Sequence, residues 1–340
     1  MKNLSKLSKI QNLLLQLVIF AATYFFIYTQ VFLKNDLPEL WTLLKSVALK
    51  PGYEGTISIV IGLMLCNWFL EAVKWKYLIA RIEIISFSSA VQAVFTGVSI
   101  STFTPNRVGE YIGRVFFLKK ASRIEGILIT MVGSMAQLLV TVLLGTIAIL
   151  IFIPQYIPTM IFGHGYLYYA LFILIVLLDF LLLSLFFNLS FLTTIKEKIL
   201  RNRMNRIQKF FRVFAFYHNR ELATVLTLSL TRYFVFSSQF IILIRFFGIP
   251  ISYFDAIVLI ALIYFIMTAI PTIALTELGL RGSVSLYFFG FWLSKTNPST
   301  DFFNAGVLGA SVFLWMINLG IPAVIGTIFV FRLRFFRKPS

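Results

Sequence analysis

The chain is a succession of long apolar runs, and the first of them, residues 10–33, has no charged residue. A helix needs about 20 predominantly apolar residues to cross roughly 30 Å of hydrocarbon. Within that hydrocarbon every backbone N–H and C=O must find its partner inside the protein, a condition that an α-helix meets by itself. Composition agrees with this solvent. The sequence is 59% hydrophobic and 13% charged, with a mean hydropathy of +0.90, outside the range of ordinary soluble domains. The expected fold class is therefore all-α, a polytopic membrane protein.

Six full spans are expected, over residues 10–33, 56–74, 124–153, 166–189, 222–244 and 302–331. The first follows Lys2, Lys6 and Lys9 but exceeds a secretory h-region and lacks a small-residue cleavage site, so it reads as a retained helix. The single cysteine, Cys66, cannot form an intramolecular disulfide.

Two further apolar stretches belong to an internal repeat. Ile85, Ser86, Phe87, Ser88, Ser89 and Ala90 match Ile251, Ser252, Tyr253, Phe254, Asp255 and Ala256, an offset of 166 residues. Fifteen residues after each alanine stands a proline, Pro105 or Pro271, and beyond it a Glu and an Arg four apart: Glu110 with Arg114, Glu277 with Arg281. Each apolar stretch stops at its proline and resumes as a short charged helix, the pattern of a re-entrant hairpin. Irregular backbone at such depth is tolerated only where protein buries it or water lines it. Paired interruptions at matching positions of two halves point to a transport or binding site. The whole chain, 1–340, reads as one domain, with repeat one at about 10–153, repeat two at about 166–332 and a basic cytoplasmic loop at 190–220.

Charge placement sets the sidedness. If both hairpins return to the side they entered, one face collects Lys2, Lys6, Lys9, Lys74, Lys76, Arg81, Lys119, Lys120 and Arg123, the basic residues of 196–220, and Arg332, Arg334, Arg337 and Lys338. That face is cytoplasmic by the positive-inside rule. Both termini are then inside and the two repeats have inverted topology. The net charge of +17 is a property of this topology, and no nucleic-acid partner is expected. The segment 196–220, with Phe210, Phe211, Phe214 and Phe216 among its basic residues, reads as an amphipathic helix on the anionic leaflet.

Seven ionisable residues remain at membrane depth: Arg107, Glu110, Arg114, Asp179, Arg232, Glu277 and Arg281. Each costs about 2.5–3.5 kcal/mol on insertion scales if left facing lipid, so each should face a cavity and a partner. The expected substrate-binding set is Arg107, Glu110, Arg114, Arg232, Glu277 and Arg281. Arg232 has two readings, an anchor for a phosphate headgroup or an ion pair with Asp179. The helices opening after Pro105 and Pro271 would aim their N-terminal amides into the shared cavity. Asn67, Gln92, Gln137, Gln239 and Asn318 are expected as interhelical hydrogen-bond partners. No P-loop, dinucleotide fingerprint, zinc motif or nucleophile elbow occurs, so no catalytic residue, metal ligand or cofactor is assigned.

The stretch Thr104-Pro105-Asn106-Arg107-Val108-Gly109-Glu110-Tyr111-Ile112-Gly113-Arg114 resembles the Pro, Gly-Glu and Arg pattern of the lysylphosphatidylglycerol synthase transmembrane region family, also called the flippase-like domain family. The segment from Ile270 to Arg281 is similar to a degenerate form of its second motif, with Thr272 and Ile273 in place of a double glycine and Gly282 in place of a usual Glu. The resemblance implies the lipid-translocating region without the soluble synthase, in a bacterial cytoplasmic membrane. It implies an anionic or aminoacylated phospholipid, or a lipid-linked glycan, as the partner. In the transport reading Glu110 and Glu277 orient the arginines or carry a coupling proton. The alternatives are an integral-membrane lipid-modifying enzyme with Glu110 or Glu277 as general base, and a non-transporting partner of such an enzyme.

The charge asymmetry makes one direct prediction. Cysteines placed at Asn205 and Lys338 should react only with membrane-permeant reagents, and one at Thr296 should react from outside. Labelling of the Asn205 position from outside would overturn the scheme.

Overall fold

The computed structural model describes residues 52–157, 165–188, 217–270, 274–296 and 303–331, together with helical positions 11, 13, 14, 17–19, 21, 25, 42 and 45. Among the described residues there is helix and turn and no strand. The expected first span, the loop 190–216 and both chain ends lie largely or wholly outside them.

Five stretches are long and apolar enough to cross a membrane: α1 (Tyr53–Ile79), α4 (Arg123–Tyr156), α5 (Tyr166–Phe187), α6 (Asn219–Phe246) and the last stretch, Phe303–Val330. They correspond to the second through sixth expected spans. The last comprises α9 (Phe303–Trp315), a π-helical turn Met316–Gly320 and α10 (Ile321–Val330). Pro322 has no N–H to offer the carbonyl four residues back, and the wider turn just before it accommodates that loss. Pro154, expected in a loop, sits instead in the final turn of α4. The carbonyl it leaves without a helical donor, that of Leu150, accepts the Tyr168 hydroxyl at 3.0 Å.

The two repeat segments form the shorter apolar helices α2 (Phe87–Ser101) and α7 (Tyr253–Ala269). They begin alike. The Ser86 hydroxyl accepts the N–H of Ser89, and Ser252, 166 residues on, accepts the N–H of Asp255, both at 3.1 Å. Each helix stops short of its proline, α2 at Ser101 and α7 at Ala269, and is packed by the helix that follows it: α3 (Val108–Val115) on α2, and α8 (Ala274–Thr296) on α7. The return helices differ in length. α3 has 8 residues as expected, whereas α8 has 23, because the apolar run Ser285–Trp292 carries the helix far past its charged first turns.

The halves are exchanged rather than side by side. α2 of the first repeat packs on α10 of the second, and α7 of the second packs on α4 of the first. Both contacts are made across a glycine. A Cβ at Gly326 would meet the Phe95 carbonyl oxygen at 2.1 Å and the Ser99 hydroxyl at 2.2 Å, and one at Gly145 would meet the Phe265 side chain at 2.4 Å. Phe265 stands 166 residues after Ser99, the offset of the sequence repeat. α1 and α6 pack against each other, tied at one end by the Tyr217 hydroxyl on the Leu78 carbonyl (2.8 Å) and by an Arg81–Glu221 ion pair.

The first hairpin is closed by glycines. Gly109 and Gly113, four apart on α3, lie against α2, where a Cβ at Gly113 would meet the Gly97 Cα at 2.7 Å and one at Gly109 would meet the Ile100 carbonyl oxygen at 2.5 Å. Small residues at this spacing let helix backbones approach closely in lipid. Gly113→Val should therefore lower stability by about 1–3 kcal/mol through overpacking against backbone that cannot yield. Gly62→Ala, whose Cβ meets nothing within 4 Å, should not lower it. Thermal unfolding in detergent separates the two.

Candidate functional site

Helical spacing on α1 puts Asn67, Glu71 and Lys74 on one face, three and four residues apart, and that face is turned inward. Glu71 is 4% exposed. Its Oε1 accepts Arg114 Nη1 from α3 at 2.8 Å; its Oε2 accepts Arg232 Nη1 from α6 at 2.6 Å and Lys74 Nζ at 2.8 Å. Arg114, 2% exposed, also pairs with Glu110 one turn back. Arg232 Nε donates to Asn67 Oδ1 at 2.8 Å, and its guanidinium lies 5.4 Å from the Trp68 ring centroid.

A second cluster joins the two hairpins. Arg107 Nη2 donates to both oxygens of Glu277, at 2.9 and 2.8 Å, and Arg281 Nη2 donates to Glu277 Oε1 at 2.7 Å. Arg107 reaches across because the backbone at the break is left-handed, with φ of 50° at Asn106 and 56° at Arg107. Non-glycine residues rarely adopt this conformation, and two in succession are held only where the surroundings fix them. Part of that fixing is visible: the Gly109 N–H is bound by the Thr104 hydroxyl at 2.8 Å. That amide of the α3 N-terminus is thus already satisfied within the protein.

Three cavities meet at this bridge, and Arg107 and Thr268 line all of them. One of about 280 Å³ is lined by Asn67, Trp68, Gln137, Arg232, Tyr264, Glu277 and Arg281 among others. One of about 240 Å³ lies over Glu71, Lys74, Glu110 and Arg232. The third, about 540 Å³, is lined by Arg107, Glu277 and Arg281 and also by Met131, Met135, Leu138 and Ile270. All four of these apolar side chains are exposed.

Of the six expected site residues, Arg107, Arg232, Glu277 and Arg281 share one cavity, Glu110 lines its neighbour with Arg107 and Arg232, and Arg114 lines neither but sits behind them on Glu71 and Glu110. The reading of Arg232 as the ion-pair partner of Asp179 does not hold. Asp179 accepts the Thr146 hydroxyl at 2.9 Å, while Arg232 is bound to Glu71 and Asn67. Glu71 is the residue that sequence reasoning missed, and Lys74, assigned above to the cytoplasmic face, is 2% exposed and belongs to the same cluster. A carboxylate between Trp68 and Trp75 inside an apolar run was the available signal. The expected interhelical amides are found: Asn67 Nδ2 to Asn318 Oδ1 at 3.4 Å, Gln137 to the Ser229 carbonyl at 3.4 Å and Gln239 to the Val60 carbonyl at 2.9 Å. Gln92 instead donates within its own helix, to Ser88 at 3.1 Å.

Fold and site define a multi-pass helical membrane protein with a charged cavity at the junction of two helical hairpins. The family model described as the lysylphosphatidylglycerol synthase TM region matches residues 13–336, nearly the whole chain, and the protein belongs to that family, a lipid-related, flippase-like family of membrane proteins. No curated protein and no solved structure matches it.

Removing the carboxylate of Glu71 strands three cations. Glu71→Gln should destabilise the protein by about 3–5 kcal/mol, the range for breaking one side of a buried ion pair. Adding Arg232→Gln should recover part of that loss, since members of one network couple by about 0.5–3 kcal/mol. Thermal melts of the single and double variants in detergent measure this, and strict additivity would refute the shared network.

Proposed function

We propose that this protein binds lipids carrying an anionic phosphate headgroup and moves them between leaflets. The observation that carries the reading is the amphipathic character of the 540 Å³ cavity: guanidinium groups at Arg107 and Arg281 and exposed apolar side chains at Met131, Met135, Leu138 and Ile270 on a single surface. A molecule with a charged head and an apolar tail is complementary to both parts. The head sits against the arginines, whose planar forks suit phosphoryl oxygens, and the tails remain on the apolar side.

The Arg107–Glu277 pair is the gate in this mechanism. Arg107 lines all three cavities and Glu277 two of them, the two residues come from different hairpins, and the Arg107 side chain is 41% exposed, far more than its partner. A phosphate arriving beside Arg107 competes with Glu277 for the guanidinium, loosening the contact between hairpins and joining the outer cavity to the inner one. Arg232 then offers the next cationic group. Glu277, released, is held by Arg281 alone or takes up a coupling proton. The reading includes a bacterial cytoplasmic membrane, inverted repeats, and both termini in the cytoplasm, which rests on the charge asymmetry of the loops.

In proteoliposomes containing a fluorescent anionic phospholipid, Arg107→Ala and Glu277→Gln should each slow exchange between leaflets at least about tenfold, the effect of losing one charge-assisted contact of roughly 1.4 kcal/mol in the rate-limiting step. Their double variant should be no slower than the worse single one, because both remove the same pair. Unaltered exchange in both single variants sinks the gate. No exchange above protein-free liposomes in the wild type sinks the transport reading itself and favours the non-transporting partner.

A further inference from the structure

Formal charge in the two clusters does not balance. Among the described residues Lys74, Arg107, Arg114, Arg232 and Arg281 face only Glu71, Glu110 and Glu277, a surplus of two formal positive charges, one in each cluster. Uncompensated charge in a low-dielectric interior is costly, and the surplus calls for an anion.

The free hydrogen-bonding capacity has the same sign. Arg281 is 7% exposed, and its Nε and Nη1 find no partner among the described residues. Three further buried donors on residues lining the same 280 Å³ cavity, Trp68 Nε1, Tyr233 Oη and Tyr264 Oη, are also without one among the described residues, against a single such amide acceptor, Gln137 Oε1. Buried donors left without partners cost about 1–3 kcal/mol each, so a set of them converging on one polar cavity is unfilled ligand-binding capacity. All three carboxylates, in contrast, are already engaged by guanidinium groups, Glu71 and Glu277 through both oxygens. The cavity can donate to an anion and has no free carboxylate pair for an ammonium.

We infer that the headgroup taken by this cavity is dianionic, a phosphate monoester or a diphosphate linkage, and that a cationic aminoacyl headgroup is disfavoured. This rests on the proposed lipid-binding function and sharpens it. A phosphate monoester carries about −1.5 to −2 at neutral pH and three acceptor oxygens, and a diphosphate diester carries two charges on adjacent phosphoryl groups. Either matches the surplus in number and the free donors in kind. A lysylated phosphatidylglycerol, with one phosphate and two ammonium groups, brings net positive charge into a site that already has an excess of it.

The test is a lipid competition on the full-length protein in detergent, read by native mass spectrometry. Phosphatidic acid, a polyprenyl-diphosphate-linked sugar, phosphatidylglycerol and lysylphosphatidylglycerol are offered at equal concentration. At least one of the two dianionic lipids should occupy the protein about tenfold or more above lysylphosphatidylglycerol, and which one does so separates the monoester from the diphosphate. Arg281→Gln should reduce that preference to the level of phosphatidylglycerol, with Arg281→Lys restoring part of it. The wild-type ranking decides the matter even if Arg281→Gln does not fold. Lysylphosphatidylglycerol bound as well as the dianionic lipids overturns the inference while leaving lipid binding intact. Binding of none of the four overturns the proposed function with it.

Discussion

One carboxylate in an apolar helix organises the charged interior. Glu71 is reached by cations from three helices, α1, α3 and α6, whose apolar contacts with one another give little directional preference in a membrane. A buried glutamate surrounded by Arg114, Arg232 and Lys74 does give it. The geometry that satisfies all three donors fixes the rotation of α1 and the position of α3 and α6 around it. Because Arg114 is bound this way, it sits behind the cavity wall, while Glu110 and, just before the same short helix, Arg107 line a cavity.

The second cluster has a different physical character. Glu277 is nearly buried, yet its bidentate partner is a half-exposed arginine on a strained, left-handed turn. Tight packing at Gly97, Gly109 and Gly113 holds the helices on either side of that turn close together. In the proposed mechanism the Glu71 cluster is the fixed framework and the Arg107–Glu277 bridge its movable closure. A reader of the sequence sees two equivalent Glu-Arg pairs; the three-dimensional arrangement places them unequally, with Arg114 enclosed behind the wall and Arg281 lining two of the cavities.

Much of the fold was legible because lipid simplifies the rules. Long uncharged runs became spans, the Ser86 and Ser252 caps opened equivalent helices, and Pro105 and Pro271 ended the apolar stretches. What sequence could not supply was pairing across helices. Arg107 and Glu277 are 170 residues apart and belong to different repeats, so neither the four-residue spacing nor the repeat pointed to them. Of the two readings of Arg232, the ion pair with Asp179 fails because the helix bearing Asp179 is mostly uncovered, with only Ile175 and Phe186 buried among its residues. Glu71 was overlooked because the basic and aromatic residues just after it resemble an interfacial belt, and Lys74 was read as its edge. The length of α8 was missed because attention to its charged start hid the apolar run behind it.

The exchange of arms between the halves has a consequence for biogenesis. α2 leaves the ribosome early, but the surface it packs on, around Gly326, is made 231 residues after Phe95. At about 5–20 residues per second that is a delay on the order of ten to fifty seconds. During it the first hairpin stands in the bilayer with that face uncovered, and for most of it Arg107 lacks Glu277. A polypeptide arranged in this way is completed in the membrane only after its end has been inserted. In that interval the nascent chain is a client for whatever shields polar helices in lipid, and a truncation removing α10 harms the beginning of the protein more than its middle.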